Sequence, residues 1–384
     1  MALPNGFRTY NTYFHEAVSF LNDHSFLYKD ANTEILSKEI LRKLPENWTQ
    51  CIENLSINEI AALPYSECDI FDNFFTKLSN LSPILEECNG ERCGFDLGKN
   101  QKRIKGLSPK KQHEISELSE GIHKQCVMKG VNLIIDLGSG LGYLSQLLFE
   151  KYGHNVIGIE GNTKNVEQAC KRQENLFENS KNNVKYVQHY ITANSADEIK
   201  VFCNELFSHE TGFLIAGLHA CADLTINAIK LFLDIDCCRG VFIMPCCYHK
   251  MHLKSHVHVE NGNSIKISER IQSKNITLKS PQFENNASLK SETRKTEDCK
   301  RVLLDFDRIE INKLWNDLSE ADFKAAALFI VLQDSLQGLC ENIILVDKLA
   351  FVSEIKRDVQ DFRFVKVTDD KISPRCLAFV ASKR

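Results

Sequence analysis

The chain has 384 residues, of which 43% are hydrophobic and 26% are charged, so it carries enough apolar sequence to build a sizeable core. These values exclude a fibrous, collagen-like or wholly disordered protein. The formal net charge is −4 at pH 7, so any binding of nucleic acid would depend on a local basic patch.

The cysteines and the apolar runs limit where the protein can reside. Fifteen cysteines, an odd number, are scattered along the chain, and the first residues do not have the pattern of a secretory signal peptide. We therefore interpret the cysteines as reduced thiols and expect a cytoplasmic or nuclear protein. The longest uninterrupted apolar run, Ala325 to Leu332, is about half of the roughly 18 residues that a membrane span needs, so the sequence predicts no membrane segment.

Residues 1–107 are predicted to form a helical N-terminal domain. Phe14, Val18 and Leu21 recur at helical spacing, and a second apolar stripe predicts a helix that ends near Pro45. Ser56 is followed three residues later by Glu59, the spacing of a capping box at a helix N-terminus.

A basic segment closes this domain and continues into the next one. Six basic residues precede the single acid Glu114, and such a run is either a solvated segment or an electrostatic footprint for phosphate. If RNA is a partner, it would bind here, through Lys99, Lys102, Arg103, Lys105, Lys110 and Lys111.

Short apolar strands alternate with helices in residues 108–253. Strands are predicted at 131–137, 155–159, 184–191, 213–218 and 240–245, and helices at 143–152 and 163–177. This alternation indicates βαβ units and a parallel sheet with both faces covered.

The sheet is predicted to be completed by the C-terminal part of the chain. Residues 254–300 are rich in Ser, Asn, Lys and Glu and are interpreted as a low-complexity, mobile insertion. Residues 301–384 follow, with a helix predicted at 319–339 and an antiparallel pair of strands at 343–354 and 376–382.

A glycine turn follows the first predicted strand. Asp136 ends the strand, and Gly138, Ser139, Gly140 and Gly142 open the next helix, so the backbone can approach a ligand closely there. The dinucleotide pattern is not met, because Tyr143 stands where its third glycine belongs, and no Gly-Lys-Ser/Thr ending of a P-loop is present.

Carboxylates next to this turn favour S-adenosylmethionine over a phosphate ligand. Asp136 would repel a pyrophosphate by about 4 kcal/mol per charge pair at 4 Å, whereas it is compatible with a sulfonium and an ammonium group. Glu160 ends the second strand, where an acid can accept hydrogen bonds from ribose hydroxyls. His189 and Tyr190, at the end of strand three, are candidates for the adenine edge. A purely structural turn with strand-capping acids is the alternative.

These residues resemble the class I, seven-stranded S-adenosylmethionine-dependent methyltransferases, and within them the methyltransferase-like protein 25 family. The matching segments are Ser108–Glu114, Asp136–Gly142, Gly217–Thr225, Cys246–Tyr248 and Ser373–Arg375. The resemblance implies an α/β fold with a Rossmann-like seven-stranded methyltransferase sheet and S-adenosylmethionine as cofactor, and it leaves the methyl acceptor undefined. One departure is Ala222, which stands where the family has glycine, so a slightly different backbone is expected there.

A second, partial resemblance is to the eukaryotic tRNA ribose 2′-O-methyltransferases. The His-x-Cys and Cys-Cys pieces are similar, but the second piece continues as Tyr248-His249 instead of a histidine pair. Because ligands of parallel sheets sit at the carboxyl ends of the strands, residues after strands four and five are predicted to face the methyl acceptor. These candidate catalytic residues are His219, Asp223, Cys246, Cys247, Tyr248 and His249.

No resident metal is predicted. Cys246 and Cys247 are followed by several histidines, but no Cys-x-x-Cys pair occurs, and the two cysteines are interpreted as small pocket-lining residues. Three functions remain: a protein or small-molecule methyltransferase, an RNA methyltransferase that uses the basic segment, and a non-catalytic cofactor-binding or scaffold protein.

Overall fold

The computed structural model describes residues 3–29, 39–66, 68–83, 86–87, 107–251, 318–355, 358–373 and 375–384. The predicted insertion at 254–300 lies outside these residues, and so do Lys99, Lys102, Arg103 and Lys105 of the basic segment and the side chain of His249. The described residues divide into two compact units, one formed by those of 3–83 and 318–347 and the other by those of 86–251 and 348–384.

The first unit is helical in its described residues, 3–83 and 318–347. It contains α1 (Tyr10–Asp23), α2 (Glu46–Ile52), α3 (Ile57–Ala62), α4 (Asp69–Asn80) and the first part of α10 (Glu320–Ile355), with short 3₁₀ turns at Ser25–Leu27, Ile40–Lys43 and Leu63–Tyr65. The predicted capping box is confirmed, since Ser56 and Glu59 exchange side-chain and backbone hydrogen bonds at the start of α3.

Aromatic packing holds this helical unit together. The rings of Phe20 and Phe74 lie 5.4 Å apart, and the rings of Trp48 and Phe71 also lie 5.4 Å apart. The His24 ring lies 4.5 Å from the Phe20 ring at a tilted angle and makes an edge contact with Phe74 at 4.9 Å. Burial of such large rings supplies most of the stability of a small helical core.

The other unit is an α/β sheet with helices on both faces, as predicted. Among the described residues it has seven strands of five or more residues: β1 (Leu133–Leu137), β2 (Asn155–Glu160), β3 (Val184–Gln188), β4 (Phe213–Cys221), β5 (Cys238–Cys246), β6 (Val359–Lys366) and β7 (Leu377–Lys383). Their order across the sheet is β6-β7-β5-β4-β1-β2-β3, and the two-residue strand Glu86–Glu87 extends the β6 edge. Strands β1 to β5 are parallel, and β7 pairs antiparallel with both β5 and β6.

Five helices accompany the parallel strands: α5 (Pro109–Lys129), α6 (Tyr143–Tyr152), α7 (Thr163–Leu176), α8 (Ala196–Leu206) and α9 (Leu224–Asp234). Short 3₁₀ turns follow at Glu178–Ser180 and Tyr248–Lys250. The helix predicted at 143–152 has the observed bounds, and β4 and β5 extend further toward their carboxyl ends than predicted. Apolar side chains of α5 and α6 pack against the sheet, which fixes the strand ends relative to one another.

The strand predicted at 343–354 is wrong, because α10 runs without interruption to Ile355. The β-branched residues there favour a strand in isolation, but Leu336, Leu339, Ile343, Val346 and Ala350 are all buried at spacings of three and four residues. The antiparallel partner of β7 is instead β6, which the sequence analysis left as a connection. Its Phe362-Arg363-Phe364 alternation is the strand signal that was missed.

Among the described residues, α10 is one helix whose length and composition would allow it to cross a membrane. The longest uninterrupted apolar run did not predict this helix as a membrane span, because Gln333, Asp334 and Ser335 interrupt its apolar sequence. Core helices of soluble proteins satisfy the same criterion, and part of the apolar window of α10 is buried within the protein. On its own the helix is a weak indication of a membrane span.

We expect Gly142→Ala to destabilise the sheet unit by about 2–4 kcal/mol, because it combines left-handed backbone strain with overpacking. Gly142 has a φ of 73°, and a β-carbon there would lie 2.0 Å from the hydroxyl oxygen of Tyr186. Gly153→Ala is the matched control, since Gly153 has a φ of 76° and no neighbour within 4 Å of its would-be β-carbon. Chemical unfolding measures both variants, and equal losses would contradict the steric argument.

Candidate functional site

The glycine turn joins β1 to α6 at the carboxyl end of the sheet. Gly138, Gly140 and Gly142 have φ values of 73°, 57° and 73°, in the region that L side chains rarely adopt. A β-carbon at Gly138 would lie 3.1 Å from a Leu224 methyl group, whereas one at Gly140 would meet nothing closer than 4.0 Å. The turn therefore presents an open stretch of main chain at Gly140.

Glu160, the last residue of β2, ties this turn to the neighbouring strand. Gly140 N donates a hydrogen bond to Glu160 Oε2 at 3.0 Å, and Asn162 N donates to Glu160 Oε1 at 2.9 Å. The carbonyl oxygen of Ile159 accepts from Gly138 N at 2.8 Å. One carboxylate thus fixes two loops, and each of its oxygens keeps a second lone pair for another donor.

Asp136 lies beneath the turn and does not line the cavity beside it. Its side chain is buried, and Ser145 Oγ of α6 donates to Asp136 Oδ2 at 2.6 Å. Burial raises the pKa of Asp136 to about 6; the Ser145 hydrogen bond opposes this shift, and the charge of Glu160 adds to it. Asp136 therefore supports the turn from below.

A cavity of about 470 Å³ opens above the carboxyl ends of β1 to β4. Its walls come from the glycine turn and from the loops that follow β2, β3 and β4. The lining residues are Gly138, Ile159, Glu160, Gly161, Asn162, His189, Tyr190, Ile191, Cys221, Ala222, Asp223, Leu224 and Asn227.

The cavity brings together part of the set that the sequence singled out. Gly138, Glu160, His189, Tyr190 and Asp223 line it, whereas Asp136 and the remaining residues of the glycine turn do not. Strand β3 ends at Gln188, so the two candidates for the adenine edge lie in the following loop. Asn162, Ile191 and Asn227 also line the cavity, but they belong to no motif and only their position after a strand could have identified them. Leu224 lines it too and lies in the Gly217–Thr225 motif, although it was not a candidate site residue.

The two residues proposed for the adenine edge are held differently. His189 Nε2 lies 3.0 Å from Ser195 Oγ, and its ring packs edge-on against Phe202. Tyr190 is 74% exposed, and its ring lies close to Gly161. His189 is therefore fixed in place, while the Tyr190 ring is free to pack on a bound group.

His219 is anchored by a buried carboxylate from α5. Its Nε2 lies 2.9 Å from Glu114 Oε2, and Ser373 Oγ donates to Glu114 Oε1 at 2.5 Å. Burial disfavours the Glu114 carboxylate, but the hydrogen bonds from His219 and Ser373 and the charges of His219 and Lys110 outweigh it and lower its pKa. Glu114 and Ser373, which the sequence analysis placed in family motifs but not in the site, thus connect three of those motifs.

Three residues at the ends of β4 and β5 have a left-handed backbone conformation. His219, Ala222 and Cys247 have φ values of 57°, 55° and 53°, in the left-handed region that costs an L residue about 1–2 kcal/mol. Ala222 adopts the conformation that favours glycine, the residue that stands at this place in the family. Strained backbone of this kind is concentrated at functional sites, because the surrounding contacts must hold it there.

The thiols of Cys221, Cys246 and Cys247, which belong to two different family motifs, converge at these strand ends. Their Sγ atoms are 3.0, 3.5 and 3.6 Å apart in pairs. Contact with the Cys246 thiol lowers the pKa of Cys221, and the same contact raises the pKa of Cys246.

Two cationic side chains lie near the ring of Tyr248, the residue that follows Cys247. The guanidinium of Arg375 is 5.2 Å from the centre of the Tyr248 ring, and the Lys348 ammonium is 5.7 Å from it. Arg375 belongs to the last family motif and Lys348 to α10, so the segment after β5 is packed against the C-terminal part of the unit. Cys246, Cys247 and Tyr248 are outside the lining of the cavity.

Asp136→Asn should change the pH dependence of stability. The native pKa of about 6 lies above the ordinary value of 3.8, so the native state holds its proton more tightly and loses stability as the pH rises through 6. We expect the unfolding free energy of the variant relative to wild type to improve by roughly 2 kcal/mol between pH 4 and pH 7.5. Chemical unfolding at several pH values measures it.

Asp197→Asn is the control, because Asp197 is 93% exposed and its substitution should leave the difference from wild type almost constant with pH. A difference between Asp136→Asn and wild type that did not change with pH would contradict the burial argument.

The part of the chain that contains this site is similar to known proteins. Residues 110–254 match the family model described as methyltransferase domain. A human protein, probable methyltransferase-like protein 25, is 41% identical over 80 residues, which is 21% of this chain and 13% of that protein. The mouse protein of the same name is 42% identical over 80 residues, again 21% and 13%. The match therefore spans a small part of the length of either relative.

Solved structures show weaker likenesses. The methyltransferase domain of a bacterial CtHen1 is 16% identical over 34% of this chain and 65% of that chain, with a TM-score of 0.25. The YcgJ protein of Bacillus subtilis is 19% identical over 34% and 50%, also with a TM-score of 0.25. Values this low support no argument about function. The family-model match indicates a methyltransferase domain over residues 110–254, and 80 residues of the chain are similar to methyltransferase-like protein 25.

Proposed function

We propose that this chain is an S-adenosylmethionine-dependent methyltransferase whose cofactor binds in the cavity above β1 to β4, and whose acceptor is a protein or a small molecule. The observation that carries the proposal is the combination of an open glycine turn with the Glu160 carboxylate on one wall of that cavity. The methyltransferase domain match over residues 110–254 supports it independently.

The charge of the cavity fits a cationic, phosphate-free nucleoside. Of its thirteen described lining residues, Glu160 and Asp223 are acidic, and none is lysine or arginine. A pyrophosphate at 4 Å from one of these carboxylates would be repelled by about 4 kcal/mol per charge pair at a surface-like dielectric. A sulfonium and an ammonium group are instead attracted.

The shape of the cavity fits the same ligand. The free lone pairs of Glu160 suit the two ribose hydroxyls, since its backbone hydrogen bonds already fix the carboxylate plane. Ile159, Ile191 and Leu224 provide apolar surface for a base, next to His189 and Tyr190. The open main chain at Gly140 suits the amino acid portion, because no side chain covers it.

When bound, the cofactor supplies a methyl carbon that its sulfonium already activates for in-line displacement. The protein then has to align the acceptor and exclude water. We expect Asp223, which lies on the cavity wall, to contact the acceptor. Glu114 and Ser373 act as positioning residues, because they fix His219 and with it the strained segment that leads to Asp223.

Gly140→Arg should abolish cofactor binding without unfolding the protein. The open space at Gly140 would accept the arginine side chain, which would then cover the open main chain of the glycine turn next to the cavity. Calorimetric titration with adenosylhomocysteine should show heat for the wild type and none for the variant. Transfer of labelled methyl groups into cell extract should likewise be lost, and the labelled fraction would identify the acceptor as protein, RNA or metabolite.

Gly130→Arg is the matched control, because Gly130 has a similar φ of 63° and no neighbour within 4 Å. It should bind adenosylhomocysteine as the wild type does. Folded wild type that gave no heat at millimolar ligand would overturn the proposal. Binding without methyl transfer to any fraction would favour the non-catalytic alternative.

RNA as the acceptor is the second candidate, and it would agree with a cytoplasmic or nuclear location. The observation in its favour is the density of basic residues in 98–111, of which Lys110 and Lys111 are described and lie exposed in the first turn of α5. Lys110 Nζ is also 3.8 Å from Glu114 Oε1, so this end of the basic segment reaches the residue that anchors His219.

If RNA is the acceptor, the affinity for a structured RNA should fall steeply with added salt. Neutralising Lys102, Arg103, Lys110 and Lys111 to glutamine should weaken binding and flatten its salt dependence. The control removes the same charge elsewhere in the sheet unit, at Lys171, Lys181, Lys185 and Lys200. Filter binding at several salt concentrations measures both, and equal losses in the two variants, or no affinity at low salt, would contradict the RNA hypothesis.

A further inference from the structure

Three cysteine thiols meet at the edge of the cavity. Cys221 ends β4, Cys246 ends β5 and Cys247 follows directly, and their sulfur atoms all lie within 3.0 to 3.6 Å of one another. Among the described residues, they form a group of thiols close enough to bind one metal ion. The proposed methyl transfer does not require this group.

The sheet itself creates the cluster. Cys221 and Cys246 are direct partners in the parallel register of β4 and β5, after an irregularity between Gly217 and Ala220 shifts that register. Cys247 then turns into the left-handed region, with a φ of 53°, and its sulfur comes back to within 3.5 Å of that of Cys221. Two rigid strand ends and one strained residue therefore hold the three sulfurs in place.

From this geometry we propose that Cys221, Cys246 and Cys247 bind a thiophilic metal ion, with Zn²⁺ as the expected occupant. Zinc bound by thiolates has metal–sulfur distances of about 2.3 Å, so the sulfurs of a tetrahedral site stand about 3.8 Å apart. The observed separations of 3.0 to 3.6 Å need only a small opening to reach that value. Three thiolates are also the soft ligand set that selects zinc over magnesium or calcium.

The number and the position of the three ligands indicate that the bound metal could contact a molecule in the cavity. Three protein ligands leave one tetrahedral position for water or a substrate atom, which is the pattern of zinc sites that take part in chemistry. Cys221 is exposed and also lines the cavity, so the ion would lie at the cavity wall. A ligand in the fourth position would therefore be a soft or anionic group, such as a thiolate, of a molecule that enters there.

The test uses the full chain, reduced with a phosphine and freed of metal with a chelator. We expect one equivalent of Zn²⁺ to bind in competition with a chromophoric chelator, and Co²⁺ to give thiolate-to-metal charge-transfer bands. Cys221→Ser should weaken Zn²⁺ binding by about 100-fold or more, and because Cys221 is exposed the variant should keep its fold. Cys247→Ser should behave in the same way.

Cys170→Ser is the matched control, since Cys170 is a partly exposed cysteine of α7 outside the cluster, and it should bind Zn²⁺ as the wild type does. A triple Cys221, Cys246 and Cys247 to Ser variant keeps every histidine of the chain, so unchanged binding by it would overturn the proposal. Reduced and folded wild type that bound no Zn²⁺ would also overturn it. These readouts do not involve methyl transfer, so the metal site and the proposed function can fail separately.

Discussion

The contact on which the site most depends is that between Glu160 and the main chain of the glycine turn. The carboxylate accepts from Gly140 N and from Asn162 N, and so joins the loop after β1 to the loop after β2. Three glycines with positive φ make this approach possible, and Tyr186 fills the space that a side chain at Gly142 would occupy. The cavity has its shape because one acid and a glycine-rich turn meet there.

A second buried acid, Glu114, anchors the end of β4. Glu114 receives hydrogen bonds from Ser373 and His219, which belong to segments far apart in the sequence. A buried carboxylate is stable only when such partners compensate for the loss of water. The cost of the left-handed backbone at His219 and Ala222 is offset by this network, and the same backbone brings Asp223 to the cavity.

The cavity and the thiol cluster share Cys221, which links the two proposals in space without making either depend on the other. Under the proposed function, the methyl acceptor would enter beside the residues that follow β4, where Asp223 lines the cavity. A soft metal at Cys221, Cys246 and Cys247 would therefore lie where an acceptor atom arrives. The charge of the lining, with two acids and no lysine or arginine among the described residues, accords with a cationic cofactor.

The sequence by itself determined the parallel α/β sheet, the glycine turn and the acid that follows the second strand, because local periodicity and adjacent residues encode them. It also identified His189, Tyr190 and Asp223, which follow strand ends directly. Only the tertiary structure showed that α10 continues through 343–354, because the burial of Ile343 and Val346 on one helical face outweighs their preference for strands. The roles of Glu114 and Ser373 and the meeting of Cys221 with Cys246 and Cys247 were likewise decided by the fold. Strand register and helix packing bring together residues whose separation along the chain carries no pattern.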